Sequence, residues 1–260
     1  MERLGCSPIE HAEDLLRGDM YLIPSIPELE PLAEVTNDTQ YVGPLINTQV
    51  VNQENNGDFD TGEDRPNLYV TLGGGAGPVG NLEFFQTLIE ALKSTEWRVV
   101  VSTGNKFNPD QLAAETRNIE FFSWVPGRKM INASTAVLFH GGYGTMMETV
   151  ESGVPSLIIP FHTEQEGNGR RLEHHGAARV IGPSNSIECY KLISFRWRNG
   201  DFSTWVQPRS QLTPEELYES VRVIMERSEF KDSAMALRDI AHEYPGANGA
   251  IDIIQTLIEA

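Results

Sequence analysis

The run His140-Gly141-Gly142-Tyr143-Gly144-Thr145 combines a strand end, three glycines and a helix start. A buried strand that breaks into such a turn presents several backbone N–H groups at a helix N-terminus, where the helix dipole also favours negative charge. Glycine lets the backbone come close to a ligand because it has no Cβ. His140 adds a ring donor or cation at the same point. The chemistry this suits is capture of an anion, above all a phosphate or diphosphate.

Other polar residues follow at short range. Thr145 and Glu148 have the Thr-x-x-Glu spacing of a capping box, in which the carboxylate reaches back to the helix start. Glu148 is equally placed to accept hydrogen bonds from two ribose hydroxyls, as acidic residues do in dinucleotide folds. Glu164 and Gln165 follow a strand ending near Pro160 and offer acceptors and donors side by side, which suits the vicinal hydroxyls of a hexose. Asn168 and Arg170, on the next helix, either extend that site or face solvent. A second glycine-rich loop, Gly73-Gly74-Gly75-Ala76-Gly77, follows another strand. It lacks the Gly-Lys-Ser/Thr ending of a nucleotide-triphosphate loop, so its expected place is the opposite wall of the same crevice. Trp124 and Val125 end a further strand, where the indole either stacks on a base or packs in the core. His174 and His175 are adjacent and point apart, so they close a helix and do not form a metal site.

These residues need a scaffold of alternating strands and helices. Strands are expected at Asn67–Leu72, Trp97–Ser102, Ile119–Trp124, Ala136–Phe139, Ser156–Ile159 and Ala178–Ile181. The first helix has Leu82, Phe85, Leu88, Ile89 and Leu92 on one face, and Asn108-Pro109 starts another. Further helices are expected at about Thr145–Ser152 and Glu166–His175, then from the capping box at Thr213-Pro214-Glu215-Glu216 to about Arg227, and near Lys231–His242 and Ala247–Glu259. The alternation predicts an α/β fold, a Rossmann-like, mostly parallel sheet with helices on both faces. Met20–Ile23 reads as one isolated strand. Asn47–Pro66 is acidic and polar and reads as a flexible linker. Leu192–Trp197 and Phe202–Val206 flank an Asn-Gly pair and read as a β-hairpin appendage.

The 260 residues carry a net charge of −17, which opposes a non-specific grip on nucleic acid or an anionic membrane. An anionic ligand must then be held by local dipoles against the general field. Apolar runs are strand-sized, short of the ~20 residues a transmembrane helix needs, and Met1–Asp19 lacks the apolar stretch of a secretory signal. Cys6 and Cys189 have no metal or redox spacing, so the expectation is reduced thiols in a cytoplasmic protein.

Taken with Gly153-Val154-Pro155 and Pro160, the ordered residues from Leu68 to Ile181 resemble the donor-binding, C-terminal half of family 1 glycosyltransferases, the nucleotide-sugar-dependent enzymes of the GT-B fold. Bacterial macrolide-type members fit better than plant ones, which have Gln where this chain has Gly127 and Cys-Gly-Trp-Asn-Ser where it has Gly141–Thr145. The resemblance implies that Trp124 and Val125 hold the base, and Glu148 the ribose. It implies that the Gly73–Gly75 loop, His140, Gly142, Gly144 and Thr145 hold the diphosphate, and that Glu164 and Gln165, with Asn168 beside them, hold the sugar. The co-substrate would be a UDP-sugar such as UDP-glucose, transferred with inversion and without a metal or other cofactor.

The implied organisation is a remnant of the acceptor domain over 1–46, the linker over 47–66 and the donor domain over 67–260, with the hairpin at about 192–206. The family's acceptor-side general base has no counterpart among the six histidines. The expectation is therefore a domain that needs an acceptor domain or subunit from elsewhere. The alternative is a non-catalytic nucleotide-sugar-binding subunit or regulator, and a nucleotide-sugar epimerase of the same fold is a third reading. A homodimer through the surface that would face the acceptor domain is also expected.

Overall fold

A computed structural model describes residues 18–46, 65–73, 82–105, 107–112, 116–161, 163–182, 191–197, 200–206 and 212–259. Most of the expected linker, the glycines Gly74 and Gly75, and both cysteines lie outside these residues.

Six strands form the central sheet: β3 (Asn67–Thr71), β4 (Arg98–Ser102), β5 (Ile119–Phe122), β6 (Ala136–Phe139), β7 (Ser156–Ile158) and β8 (Ala178–Val180). Every pairing is parallel and the order across the sheet is β5-β4-β3-β6-β7-β8. The chain thus winds outward from β3 to one edge, returns to the centre at β6, and winds to the other edge. In such a sheet the connections leave the carboxyl ends of β3 and β6 in opposite directions and open a crevice between them.

Alternation of side chains divides the core in two. Leu68, Val70, Val99, Val101, Ala136, Leu138 and Leu157 face one side, against α1 (Leu82–Leu92) and α6 (Pro214–Glu226). Tyr69, Val100, Val137, Phe139 and Ile158 face the other. There they meet α3 (Gly127–Asn132), α4 (Tyr143–Ser152), α5 (Thr163–His174) and α7 (Ser228–Ala241). The strands read as continuous apolar runs because both faces are covered. The short α2 (Pro109–Leu112) starts as its Asn-Pro pair predicts, with the Asp110 N–H donating to Asn108 Oδ1 at 3.1 Å. The Thr213 hydroxyl caps α6 by accepting from the Glu216 N–H at 3.2 Å.

Four expectations change. The strand at Met20–Ile23 has a partner: β1 (Tyr21–Ile23) pairs in parallel with β2 (Thr39–Tyr41), three residues too short to show an alternating pattern. Helix α4 begins at Tyr143, two residues before Thr145, with Gly142 as its N-cap. Helix α5 begins at Thr163, so Glu164 and Gln165 sit in its first turn and not in a loop. Helix α7 begins at Ser228, directly after α6 ends. Strands β9 (Lys191–Trp197) and β10 (Gly200–Val206) pair as an antiparallel hairpin. The chain's last helix, α8 (Gly246–Glu259), starts beside the 18–46 segment, where the Gly246 N–H donates to Val42 O at 2.7 Å.

Leu138 is wholly buried at the middle of β6, between β3 and β7. Leu138→Ala is expected to destabilise the fold by about 2–5 kcal/mol through lost transfer energy and a residual cavity. Ile254→Ala, on the exposed part of α8, is expected to cost little. Urea denaturation of the two variants checks the contrast.

Candidate functional site

The crevice between the ends of β3 and β6 opens into a cleft of about 320 Å³ that extends over the end of β4. Its floor comes from the strands: Tyr69 and Thr71 from β3, and Ser102 from β4. Gly73, Gly104 and Asn105 form the loops above them. Trp124, Val125, Gly127 and Ile131 line one wall, and Thr145 and Glu148 of α4 line another. Seven of these twelve residues went unmentioned in the sequence reading as ligands. Tyr69, Thr71, Ser102 and Asn105 were traceable only by counting to strand ends. Asn105 is a further sign in retrospect, since it is a non-glycine residue held at φ +61°, a conformation concentrated at functional turns.

His140 sits just past β6, with its ring packed edge-on against Phe139 at 6.3 Å. The imidazole occupies the space that two glycines leave free. A Cβ on Gly73 would lie 2.8 Å from its Cε1, and one on Gly142 would lie 2.4 Å from its Nε2. Gly73 also has φ +70°. The histidine therefore joins the glycine turn after β3 to the one after β6. Gly141 has φ +91°, and a Cβ there would meet the Gln165 carbonyl at 2.5 Å, so this turn also packs against the start of α5. At Gly144 nothing among the described residues lies within 4 Å of a built Cβ. Among the described residues, the space over the start of α4 is open on that side.

With Gly142 as N-cap, Thr145 is the third residue of α4 and cannot cap it. The capping-box reading of Thr145 and Glu148 falls away, and Glu148 faces the cleft. Burial pushes its carboxyl above the ordinary range, and the Arg128 guanidinium pulls it back. Arg128 itself lies 3.9 Å from Glu151, one turn further along α4. Tyr69 is pushed up to about 12 by burial, opposed by hydrogen bonding with Thr71 and Ser102. It is a neutral phenol at any working pH. Trp124 is 47% exposed at the rim while Val125 is buried, so this indole is not a core residue.

Glu164, Gln165 and Asn168 stand on α5, next to the His140 turn and outside the cleft lining. Glu164 is exposed. Gln165 is buried, its Oε1 accepting from the Phe161 N–H at 2.9 Å. Asn168 is buried and donates to Gly141 O. The Arg170 guanidinium pairs with Glu173 and Glu166 on its own helix and is held charged by them. Among the described residues no group of three His, Cys, Asp or Glu side chains is placed to hold a metal ion, and no helix is long and apolar enough to cross a membrane.

Comparison with known proteins agrees with this architecture. The sequence model of the erythromycin biosynthesis protein CIII-like C-terminal domain matches residues 86–193. The NDP-glycosyltransferase YjiC of Bacillus licheniformis is 27% identical over 160 residues, which is 60% of this chain and 39% of that protein. The glycosyltransferase of kitacinnamycin superposes with a TM-score of 0.72 at 21% identity, over 94% of this chain and 57% of its own. The spinosyn rhamnosyltransferase SpnG, solved with thymidine diphosphate, superposes with a TM-score of 0.64 at 16% identity, over 92% of this chain and 57% of its own. The chain spans between about two fifths and three fifths of the length of these proteins. Its fold is that of the GT-B glycosyltransferases, and its sequence is similar to the C-terminal half of family 1 members.

Proposed function

We propose that this chain binds a nucleoside diphosphate sugar for inverting transfer of a hexosyl group to an acceptor hydroxyl, with UDP-glucose as the first donor to test. The observation that carries the reading is the cleft at the strand-order reversal, where an exposed indole, a half-buried carboxylate and a glycine turn at a helix start converge. Trp124 stacks on the base and the Val125 backbone reads its edge. Glu148 accepts from the ribose hydroxyls. The diphosphate lies over the start of α4, held by the N–H groups near Gly142, Gly144 and Thr145, by His140 and by the loop from Gly73 through Gly74 and Gly75. Glu164 meets the sugar at the far end, beside Gln165.

The chemistry follows from that placement. As the bond from the anomeric carbon to the diphosphate oxygen breaks, negative charge grows on the diphosphate. Fixed N–H dipoles and the His140 ring stabilise that charge without reorganising, which is where such groups lower a barrier most. The acceptor oxygen attacks the opposite face of the anomeric carbon and must lose its proton to a base. An acceptor domain or subunit beyond the donor cleft supplies that base and positions the hydroxyl. SpnG is solved with thymidine diphosphate, so dTDP is the natural competitor to UDP.

Calorimetric titration with UDP, dTDP and UDP-glucose tests the reading. Saturable binding by a uridine ligand is expected, weakened by about tenfold or more in Glu148→Ala, since one hydrogen bond to a charged group contributes ~1.5–3 kcal/mol. Absence of binding by all three ligands would remove the proposal.

Glu148 also sets an expected pH dependence. Its folded-state pKa is raised above the ordinary 4.5, so the folded protein takes up its proton first as pH falls. Nucleotide affinity should therefore drop as pH falls through that raised value, before an exposed carboxylate would titrate. The stability effect has the opposite sense: folding is disfavoured once pH rises through the raised pKa and the half-buried group is charged. Glu148→Gln should raise the melting temperature at pH 7 and lose that advantage near pH 4. A variant no more stable than the parent at pH 7 would contradict this electrostatic account.

A further inference from the structure

Asn168 is only 3% exposed on α5, yet its side-chain amide is fully engaged. Nδ2 donates to Gly141 O at 2.9 Å and to Glu164 Oε1 at 2.5 Å. Oδ1 accepts from Arg171 Nη1 at 3.3 Å. An asparagine amide has two N–H donors, and both are used. It has no hydrogen left for a ligand, so the direct sugar contact expected of it from sequence is not the role its surroundings favour.

What it holds matters more. In a trans peptide the C=O of one residue and the N–H of the next point in opposite directions within one plane. Fixing the Gly141 carbonyl against α5 therefore aims the Gly142 N–H away from α5. That N–H sits at the N-cap of α4. The other Nδ2 hydrogen fixes the Glu164 carboxylate, one turn earlier on α5. The diphosphate end and the sugar end of the proposed donor site are thus tied to one buried amide.

We propose that Asn168 is a positioning residue that holds the Gly141–Gly142 turn and the Glu164 carboxylate in a single arrangement, so that diphosphate and sugar are recognised as a unit. This rests on the donor-binding reading above. Arg171 completes the device. Its donation to Oδ1 determines which end of the amide faces Gly141, because a carbonyl turned that way would face another carbonyl. Arg171 is itself anchored by Glu30 Oε1 at 2.6 Å. Glu30 belongs to the 18–46 segment, so the orientation of the amide depends on residues more than a hundred positions away in sequence.

The test titrates the full chain and its variants with UDP-glucose, UDP and uridine, using ligand-observed NMR for the weak nucleoside. Asn168→Asp keeps the acceptor for Arg171 but turns oxygen towards Gly141 O and Glu164. It should weaken UDP-glucose by about tenfold or more, weaken UDP less, and leave uridine unchanged. In the Glu164→Ala background, Asn168→Asp should weaken UDP-glucose no more than it weakens UDP, because the sugar-end contact is already gone. Should Asn168→Asp fail to fold, Arg171→Met, at a side chain 39% exposed, should give the same ordering with smaller losses. Equal losses on all three ligands would mark a merely structural residue, and wild-type affinities throughout would also overturn the inference. If the parent chain binds none of the three, the donor-binding reading fails first and this inference falls with it.

Discussion

The imidazole of His140 is wedged between two glycine turns at the point where the sheet changes direction, and the site is laid out from there. β3 and β6 are neighbours in register, Thr71 beside Phe139, and their continuations diverge. Whatever follows each strand must leave the sheet, and the ring fills the gap between them. A Cβ at Gly73 or Gly142 could be placed only by displacing the ring. The usual account of glycines in such loops is approach of backbone to phosphate. Here the first demand is internal: packing of a side chain between the two loops. The dependence is mutual, since a bulkier residue at either glycine would move the ring as well as the turn.

That arrangement also answers the problem posed by a net charge of −17. A strongly acidic protein can bind a diphosphate only where the local field is reversed. At the proposed diphosphate site that reversal would rest chiefly on dipoles: the start of α4, with no acidic residue in its first turn, and the N–H groups of the turn before it. Arg128 is present nearby, but it is shared between Glu148 and Glu151. Neutral donors have a further advantage at a leaving group. They stay in place as charge develops, and they do not bind the ground-state anion so tightly as an exposed cation would.

Much of this was legible in the sequence because parallel strands buried on both faces are written as continuous apolar runs. NLYVT and AVLF could be read directly, and so could the glycine turn and its helix. The failures share a cause. Helix starts were placed where a side-chain cap or an amphipathic period begins, yet α4 is capped by Gly142, which offers no side chain. Likewise α5 begins at Thr163, in a polar stretch whose buried members are Gln165, Asn168 and Gly169. Hydrophobic periodicity is silent when the buried face of a helix is polar. The floor of the cleft was invisible for a different reason: Tyr69 and Ser102 look like ordinary strand residues, and only the strand order brings them under Glu148.

The strand order brings the 18–46 segment to the site as well. Ile26 and Leu29 belong to the same core as α4 and α5. The Tyr143 hydroxyl, at the first residue of α4, donates to Pro24 O at 2.8 Å. His175 Nε2 lies 2.9 Å from Glu28 O at the other end of α5. Together with Arg171 and Glu30, these contacts tie both helices that carry the proposed phosphate and sugar contacts to a stretch that contributes no residue to the cleft lining. A displacement of that stretch would strain the start of α4 and the Arg171 support of Asn168 at once. The geometry of the proposed donor site is therefore set jointly by the sheet beneath it and by the segment that precedes the sheet in the chain.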